Sequence, residues 1–176
     1  ITDDGTFIGS KEQPQAKIWL NTQSWSVISG MGDREKSEKA MASVKKYLDT
    51  DLGIKKIDPS MKDYPSAEDP LTYYNKGCGE NGSVFCHANT WAIIAECMLG
   101  NGDAAYKYYH QLLPMVAQEK AGEWRYKAEP YVYASNIFGP ESDKFGLANV
   151  SWLTGTAAWM YIAITQHILG IKPTWE

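Results

Sequence analysis

Between Val84 and Leu99 the chain carries one charged side chain, Glu96, over a length sufficient for about four helical turns. A helix that is apolar on most of its sides has to be buried, because no face is left for water. Its first turns nevertheless hold His87, Asn89 and Thr90, and Glu80 lies just upstream. The lead-in, Gly77 to Gly82, has three glycines in six residues, which suits a backbone that turns tightly or approaches something closely. Polar groups at the mouth of a buried helix either form a site or cap the helix and satisfy buried partners. The segment alone leaves both open.

The pattern recurs along the chain. Lys17 to Ile28 is apolar with Asn21, Thr22 and Gln23 inserted, and it ends at Gly30-Met31-Gly32-Asp33. Arg34 to Leu48 follows, with Asp33 placed as N-cap and Ser37, Ala40, Met41, Val44, Tyr47 and Leu48 on one stripe. The uncharged segment likewise ends at Gly100-Asn101-Gly102-Asp103. An amphipathic helix from Ala104 to Ala117 comes next, with Tyr106, Tyr109, Leu113 and Val116 on one face and Pro114 kinking or shortening it. Ser151 to Leu169 reads as a third buried helix, closed by Gly170 and stopped by Pro173. Ile1 to Gln15, including Asp3 and Asp4, reads as loop. Thr50 to Ser83 and Glu119 to Val150 are long loops entering the starts of the buried helices, the second with a short strand within Pro130 to Phe138. The expected class is therefore all-α. Buried-then-amphipathic pairs suit a ring of helical hairpins, and a plain bundle or solenoid scaffold is the rival.

Charge and cysteine usage narrow the function classes. The net charge is −4, and no basic cluster interleaves with the aromatics, so nucleic acid is not the expected partner. Seven Trp and eleven Tyr supply flat surfaces of the kind on which sugar rings stack. Three cysteines, Cys78, Cys86 and Cys97, lack C-x-x-C spacing; this points away from a disulfide framework or metal site and towards a cytoplasmic protein. Cys86 and His87 are adjacent and so diverge by about 100° on a helix, a poor nucleophile–base geometry. Residues 150–171 lack Lys, Arg, Asp and Glu, but their Ser, Thr, Gln and His content fits a buried helix better than a membrane span.

Polar residues cluster at three helix starts: Asn21 to Gln23, Glu80 to His87, and Ser151 to Thr156. Helix starts offer unpaired N–H groups and a positive dipole end, which suit an anion. Thr154 adds a hydroxyl, Gly155 an unobstructed backbone, and His87 a donor that can face a phosphate oxygen.

Four runs carry a resemblance: Leu20 to Gly30 (LNTQSWSVISG), Glu80 to Tyr109 (ENGSVFCHANTWAIIAECMLGNGDAAYKYY), Glu129 to Asn136 (EPYVYASN) and Ser151 to Ile171 (SWLTGTAAWMYIAITQHILGI). In this order they resemble the C-terminal part of the catalytic domain of glycoside hydrolase family 94, the inverting disaccharide phosphorylases that act on cellobiose or N,N′-diacetylchitobiose. The resemblance implies that residues 1–176 are one portion of an (α/α)6 barrel. It implies phosphorolysis of a β-linked disaccharide to an α-sugar 1-phosphate and a free sugar. The substrates are then disaccharide and inorganic phosphate, with no cofactor or metal, in a homodimeric enzyme. His87, Thr154 and Gly155 match phosphate-holding positions; Glu80, Tyr74 and Ser135 match sugar-contacting ones. The catalytic acid is implied to be an Asp upstream of Ile1, so residues 1–176 by themselves are not expected to turn over substrate. Gly79 stands where relatives often have Lys, and Ser135 where they often have Gln. Two other functions compete. One is an (α/α)6 glycoside hydrolase using Glu80 or Glu129 to activate water; the other is a non-catalytic helical scaffold.

Overall fold

The computed structural model describes residues 3, 5, 7, 9–61 and 74–174. Asp4 and part of the loop between Thr50 and Ser83 lie outside them. The elements run β1 (Ile18–Trp19), α1 (Leu20–Ile28), α2 (Arg34–Tyr47), β2 (Asp49–Thr50), β3 (Gly53–Ile54), β4 (Ile57–Asp58), β5 (Val84–Phe85) and α3 (Cys86–Leu99). They continue with α4 (Gly102–Leu112), α5 (Pro114–Ala121), α6 (Glu123–Tyr126), β6 (Ala134–Ile137), β7 (Ala148–Ser151) and α7 (Thr156–Ile162), which runs on into a π-helical turn, Ala163–Ile168.

Helix α3 is the centre. Ten of its residues are buried, spread around the whole circumference, and α1, α2, α4 and α7 all pack on it. The polarity of the segment dictates this, since a helix without a polar face is stable only inside other helices. Gly100 ends it in the left-handed conformation, which an L side chain would disfavour. Helix α2 is the amphipathic outer partner: Asp33 Oδ1 accepts from the Lys36 N–H at 2.8 Å, and Ser37, Met41 and Val44 face inward.

Four expectations need correction. The described residues are not all-α, because seven short strands form three sheets ordered β1–β4, β2–β3 and β5–β6–β7. Chain entering the helix starts is partly withdrawn from water, and its backbone groups find partners in short strand pairings. Ile18–Trp19 and Val84–Phe85 are accordingly strands, and the helices begin only at Leu20 and Cys86. As Pro114 requires, the segment from Ala104 to Ala117 is interrupted, two helices meeting at Leu113 with Pro114 at the first position of α5; the departure lies in which face turns inward. Its inward face is Ala105, Tyr108, Gln111 and Leu112, while Tyr106 is exposed. Tyrosines on both sides of the helix gave the hydrophobic period no way to choose between them.

The segment from Ser151 to Leu169 departs most. Ser151 closes β7, the turn to Gly155 exposes Trp152 and Leu153, and only Thr156, Met160 and Ala163 are buried in the helix that follows. Those three form a single stripe against α3. Apolar composition made the segment eligible for burial, but the neighbours among the described residues cover one side only. Tyr161, Leu169 and Ile171 remain exposed. No helix among the described residues is long and apolar enough to cross a membrane.

Asn89 joins these layers. Fully buried on α3, it accepts from the Ile54 N–H at 2.7 Å and donates to the Ile54 and Phe85 carbonyls at 2.9 Å each. Asn89→Ala leaves the Ile54 amide and carbonyl without these partners in the interior. Chemical denaturation is expected to show a loss of about 3 kcal/mol. A loss below about 1 kcal/mol would show that the clamp is not structural.

Candidate active site

In the β5–β6–β7 sheet both neighbouring pairs are antiparallel, so β5 and β7 run in the same direction. The register sets Phe85 opposite Asn136, Asn136 opposite Asn149, and Ala134 opposite Ser151. Both outer strands lead into helices, β5 directly into α3 and β7 through a short turn into α7. The sheet thereby brings His87, just after β5, against the 152–155 turn, although the two are far apart in sequence.

Contact between them is close. A Cβ on Gly155 would lie 2.9 Å from the His87 Cε1, so only glycine lets the imidazole sit where it does. The His87 Nε2 is buried and has no hydrogen-bond partner among the described residues. Asn89 and Thr90, by contrast, are satisfied: Asn89 holds Ile54 and Phe85, and the Thr90 hydroxyl donates to the His87 carbonyl at 2.6 Å. Of the polar trio that opens α3, two are structural and one is left with unused capacity.

Below His87 lies an aromatic layer that sequence reasoning missed. The Trp91 ring lies 4.8 Å from the His87 ring and tilted to it, and its edge-on neighbours are Trp25 at 5.4 Å and Trp159 at 6.0 Å. A signal for it was present. Asn21 and Trp25, His87 and Trp91, and Gly155 and Trp159 are each four residues apart, at the starts of α1, α3 and α7. That spacing stacks a tryptophan one turn below each polar position. The Trp91 indole nitrogen and the Asn21 Oδ1 are also buried without partners.

Glu80 approaches from the loop before β5. Its carboxylate is ion-paired with the Lys56 ammonium, a residue that sequence reasoning did not single out. Asn81 anchors this loop. Wholly buried, it accepts from the Met61 N–H at 2.7 Å and donates to the Met61 and Tyr74 carbonyls at 2.8 and 2.9 Å. The Tyr74 ring lies over Gly79, where a Cβ would come within 2.6 Å of it, so Tyr74 and Glu80 are neighbours.

Thr154 turns its hydroxyl to its own helix start, 2.6 Å from the Thr156 Oγ1, and accepts from the Thr156 N–H at 3.2 Å. Ser135 lies half-buried on the central strand; alternation puts it on the sheet face opposite Phe85, Asn136 and Asn149. Glu129 accepts from the Trp152 indole at 3.2 Å, and hydrogen bonds from its own backbone amide and from Trp152 hold its carboxyl below the usual range. Cys86 is buried and its thiol is pushed up to about 12, which keeps it protonated and unreactive. Among the described residues no group of His, Cys, Asp and Glu is arranged to hold a metal ion.

The family model of the glycosyl hydrolase 94 superfamily, catalytic domain, matches residues 1–170. An N,N'-diacetylchitobiose phosphorylase from Vibrio furnissii is 39% identical over 172 residues, 98% of this chain and 21% of that protein. A solabiose phosphorylase from Paenibacillus borealis is 33% identical over 174 residues, 99% of this chain and 22% of that protein. A cyclic beta-(1,2)-glucan synthase from Rhizobium meliloti is 35% identical over 175 residues, 97% of this chain but 6% of that protein. The chain thus spans about a fifth of the length of the two phosphorylases it matches.

Burial, and after it the Lys56 charge, depress the His87 pKa below the ordinary imidazole value. The unfolded chain therefore takes up this proton more readily than the folded one. Stability is then full above the unfolded value, about 6.5, and declines as pH falls through it. His167 is shifted in the same direction by burial and by Lys172. Thermal melts from about pH 7.5 down to about 5.5 should show a falling Tm, with a shallower fall in His87→Gln. Identical slopes in the two proteins would show that His87 is not the responsible group.

Proposed function

The chain belongs to the glycosyl hydrolase 94 superfamily, catalytic domain, and from that premise we propose that it is the phosphate- and sugar-binding part of an inverting disaccharide phosphorylase. The observation that carries this is the buried His87 Nε2, unpaired and packed against the Gly155 backbone beside a tryptophan layer. A polar atom withdrawn from water and left without a partner suits a bound ligand that completes it. Phosphate supplies acceptor oxygens for the neutral imidazole, for the Thr154 hydroxyl and for the Gly155 backbone. Either hydroxyl of the Thr154–Thr156 pair can donate, and with Thr156 as donor the Thr154 proton is free to turn outward. Glu80, Tyr74 and Ser135 take the sugar, the carboxylate accepting from ring hydroxyls.

In this mechanism phosphate attacks the anomeric carbon of a β-linked disaccharide from the face opposite the glycosidic oxygen. The C–O bond to the leaving sugar breaks, and an Asp upstream of Ile1 protonates that oxygen. The products are an α-sugar 1-phosphate and a free sugar. Phosphate arrives as an anion, so the second carboxylate that an inverting hydrolase needs for activating water has no task here. Glu129 fits that absence, since a carboxyl held below its usual range is a weak base.

We place the chain as the C-terminal portion of one (α/α)6 barrel in a cytoplasmic homodimer that needs no cofactor. The exposed row of Tyr161, Leu169 and Ile171 is the side on which the remaining hairpins would pack. Residues 1–176 alone should then release no sugar phosphate.

The test uses the complete enzyme that contains this chain, supplied with cellobiose or N,N′-diacetylchitobiose and inorganic phosphate. Phosphate-dependent formation of a sugar 1-phosphate is expected; free sugars alone would overturn the proposal in favour of hydrolysis. His87→Ala should raise the phosphate KM about ten- to a hundredfold, the worth of one hydrogen bond to a charged group. Gly155→Ala, which pushes the imidazole aside, should act in the same direction. Normal phosphate kinetics in both folded variants would remove these residues from the phosphate site.

A further inference from the structure

Lys56 is 7% exposed, which is rare for a lysine. Its position is set by backbone: its N–H donates to the Ser83 carbonyl at 2.8 Å, and its carbonyl accepts from the Leu20 N–H at 2.8 Å. The residue thus bridges the start of α1 and the approach to β5. Lys55, which alternates to the other side, pairs locally with Asp58. The Lys56 ammonium lies 4.4 Å above the Phe85 ring and meets the Glu80 Oε2.

An ion pair with one partner buried and the other half-buried is a weak device for stability, since the buried ammonium gives up its hydration to make it. Stability of the fold alone is therefore a poor reason for a lysine at this position. Glu80 supplies a better one. It stands on a loop whose preceding residue, Gly79, has φ +51° and is covered by the Tyr74 ring, so no charge can come from position 79 without displacing that ring. The cation reaches Glu80 from a different part of the chain.

Building on the functional reading above, we propose that Lys56 is a positioning residue for the sugar subsite: its ammonium occupies one oxygen of the Glu80 carboxylate and leaves the other free to accept from a sugar hydroxyl. The sugar meets a carboxylate that is already oriented and has one free acceptor. Phe85, the residue before α3, forms the floor that keeps the ammonium in place.

The test is a mutant cycle in the complete enzyme with Lys56→Met, Glu80→Gln and the pair combined, and with Lys56→Arg as the conservative variant. Lys56→Gln replaces Lys56→Met if the latter does not fold. Lys56→Met should raise the disaccharide KM about tenfold and leave the phosphate KM within about twofold. The double variant should be no worse than Glu80→Gln alone, because the lysine acts through that carboxylate. Lys56→Arg should recover most of the loss. A lower Tm with an unchanged disaccharide KM, or losses that multiply in the double variant, would overturn the proposal. If the wild-type enzyme shows no phosphate-dependent turnover, the functional reading falls by itself. The same cycle on sugar affinity by calorimetry then decides Lys56: coupled losses sustain it, and independent losses or no sugar binding overturn it.

Discussion

The pairing of β5, β6 and β7 is the constraint on which the site depends. Three strands of two to four residues are a small sheet, yet their hydrogen bonds fix where three separate loops end. Because β5 and β7 run the same way, the helices that follow them begin side by side, and His87 meets Gly155. The sheet in turn is seated by Asn89, which reaches from α3 to Ile54 and Phe85. Loss of this one polar side chain would loosen the strand that leads into His87 and, at Ile54, the strand just before Lys56.

Burying polar groups is costly unless each is paired, and the chain meets that cost unevenly. Asn81, Asn89, Ser24 and Thr90 all find backbone partners and serve the scaffold. Among the described residues His87, Asn21, Trp91, Tyr108 and Asn136 hold buried polar atoms that do not. Three of the five lie at the starts of α1 and α3 or one turn below, while Tyr108 on α4 and Asn136 on β6 lie elsewhere. The residue types alone do not reveal which of them find partners.

The tryptophan layer gives the His87 imidazole its setting. Trp25, Trp91 and Trp159 come from three helices and contact one another edge to face, an arrangement favoured by the ring quadrupoles. They form a stiff, low-polarity floor, and the His87 ring rests directly on it. Burial there is the first cause of the depressed His87 pKa, so the packing that positions the ring also keeps it neutral.

Much was legible in the order of residues. The near-absence of charge from Val84 to Leu99 required a central helix, Asp33 by its side chain and Gly100 by its backbone freedom marked helix ends, and Pro114 had to interrupt a helix. These are local rules, which operate wherever the residues occur. Three other facts needed the fold. Tyr108 rather than Tyr106 faces inward, because α3 lies on that side. The apolar segment after Ser151 is only half-covered, because burial depends on neighbours as well as composition. Lys56 meets Glu80 because two backbone hydrogen bonds carry it there from another loop. The sequence by itself determined which residues could be buried, capped or charged; tertiary structure decided which of them meet, since contact between distant residues is a property of strand register and helix packing.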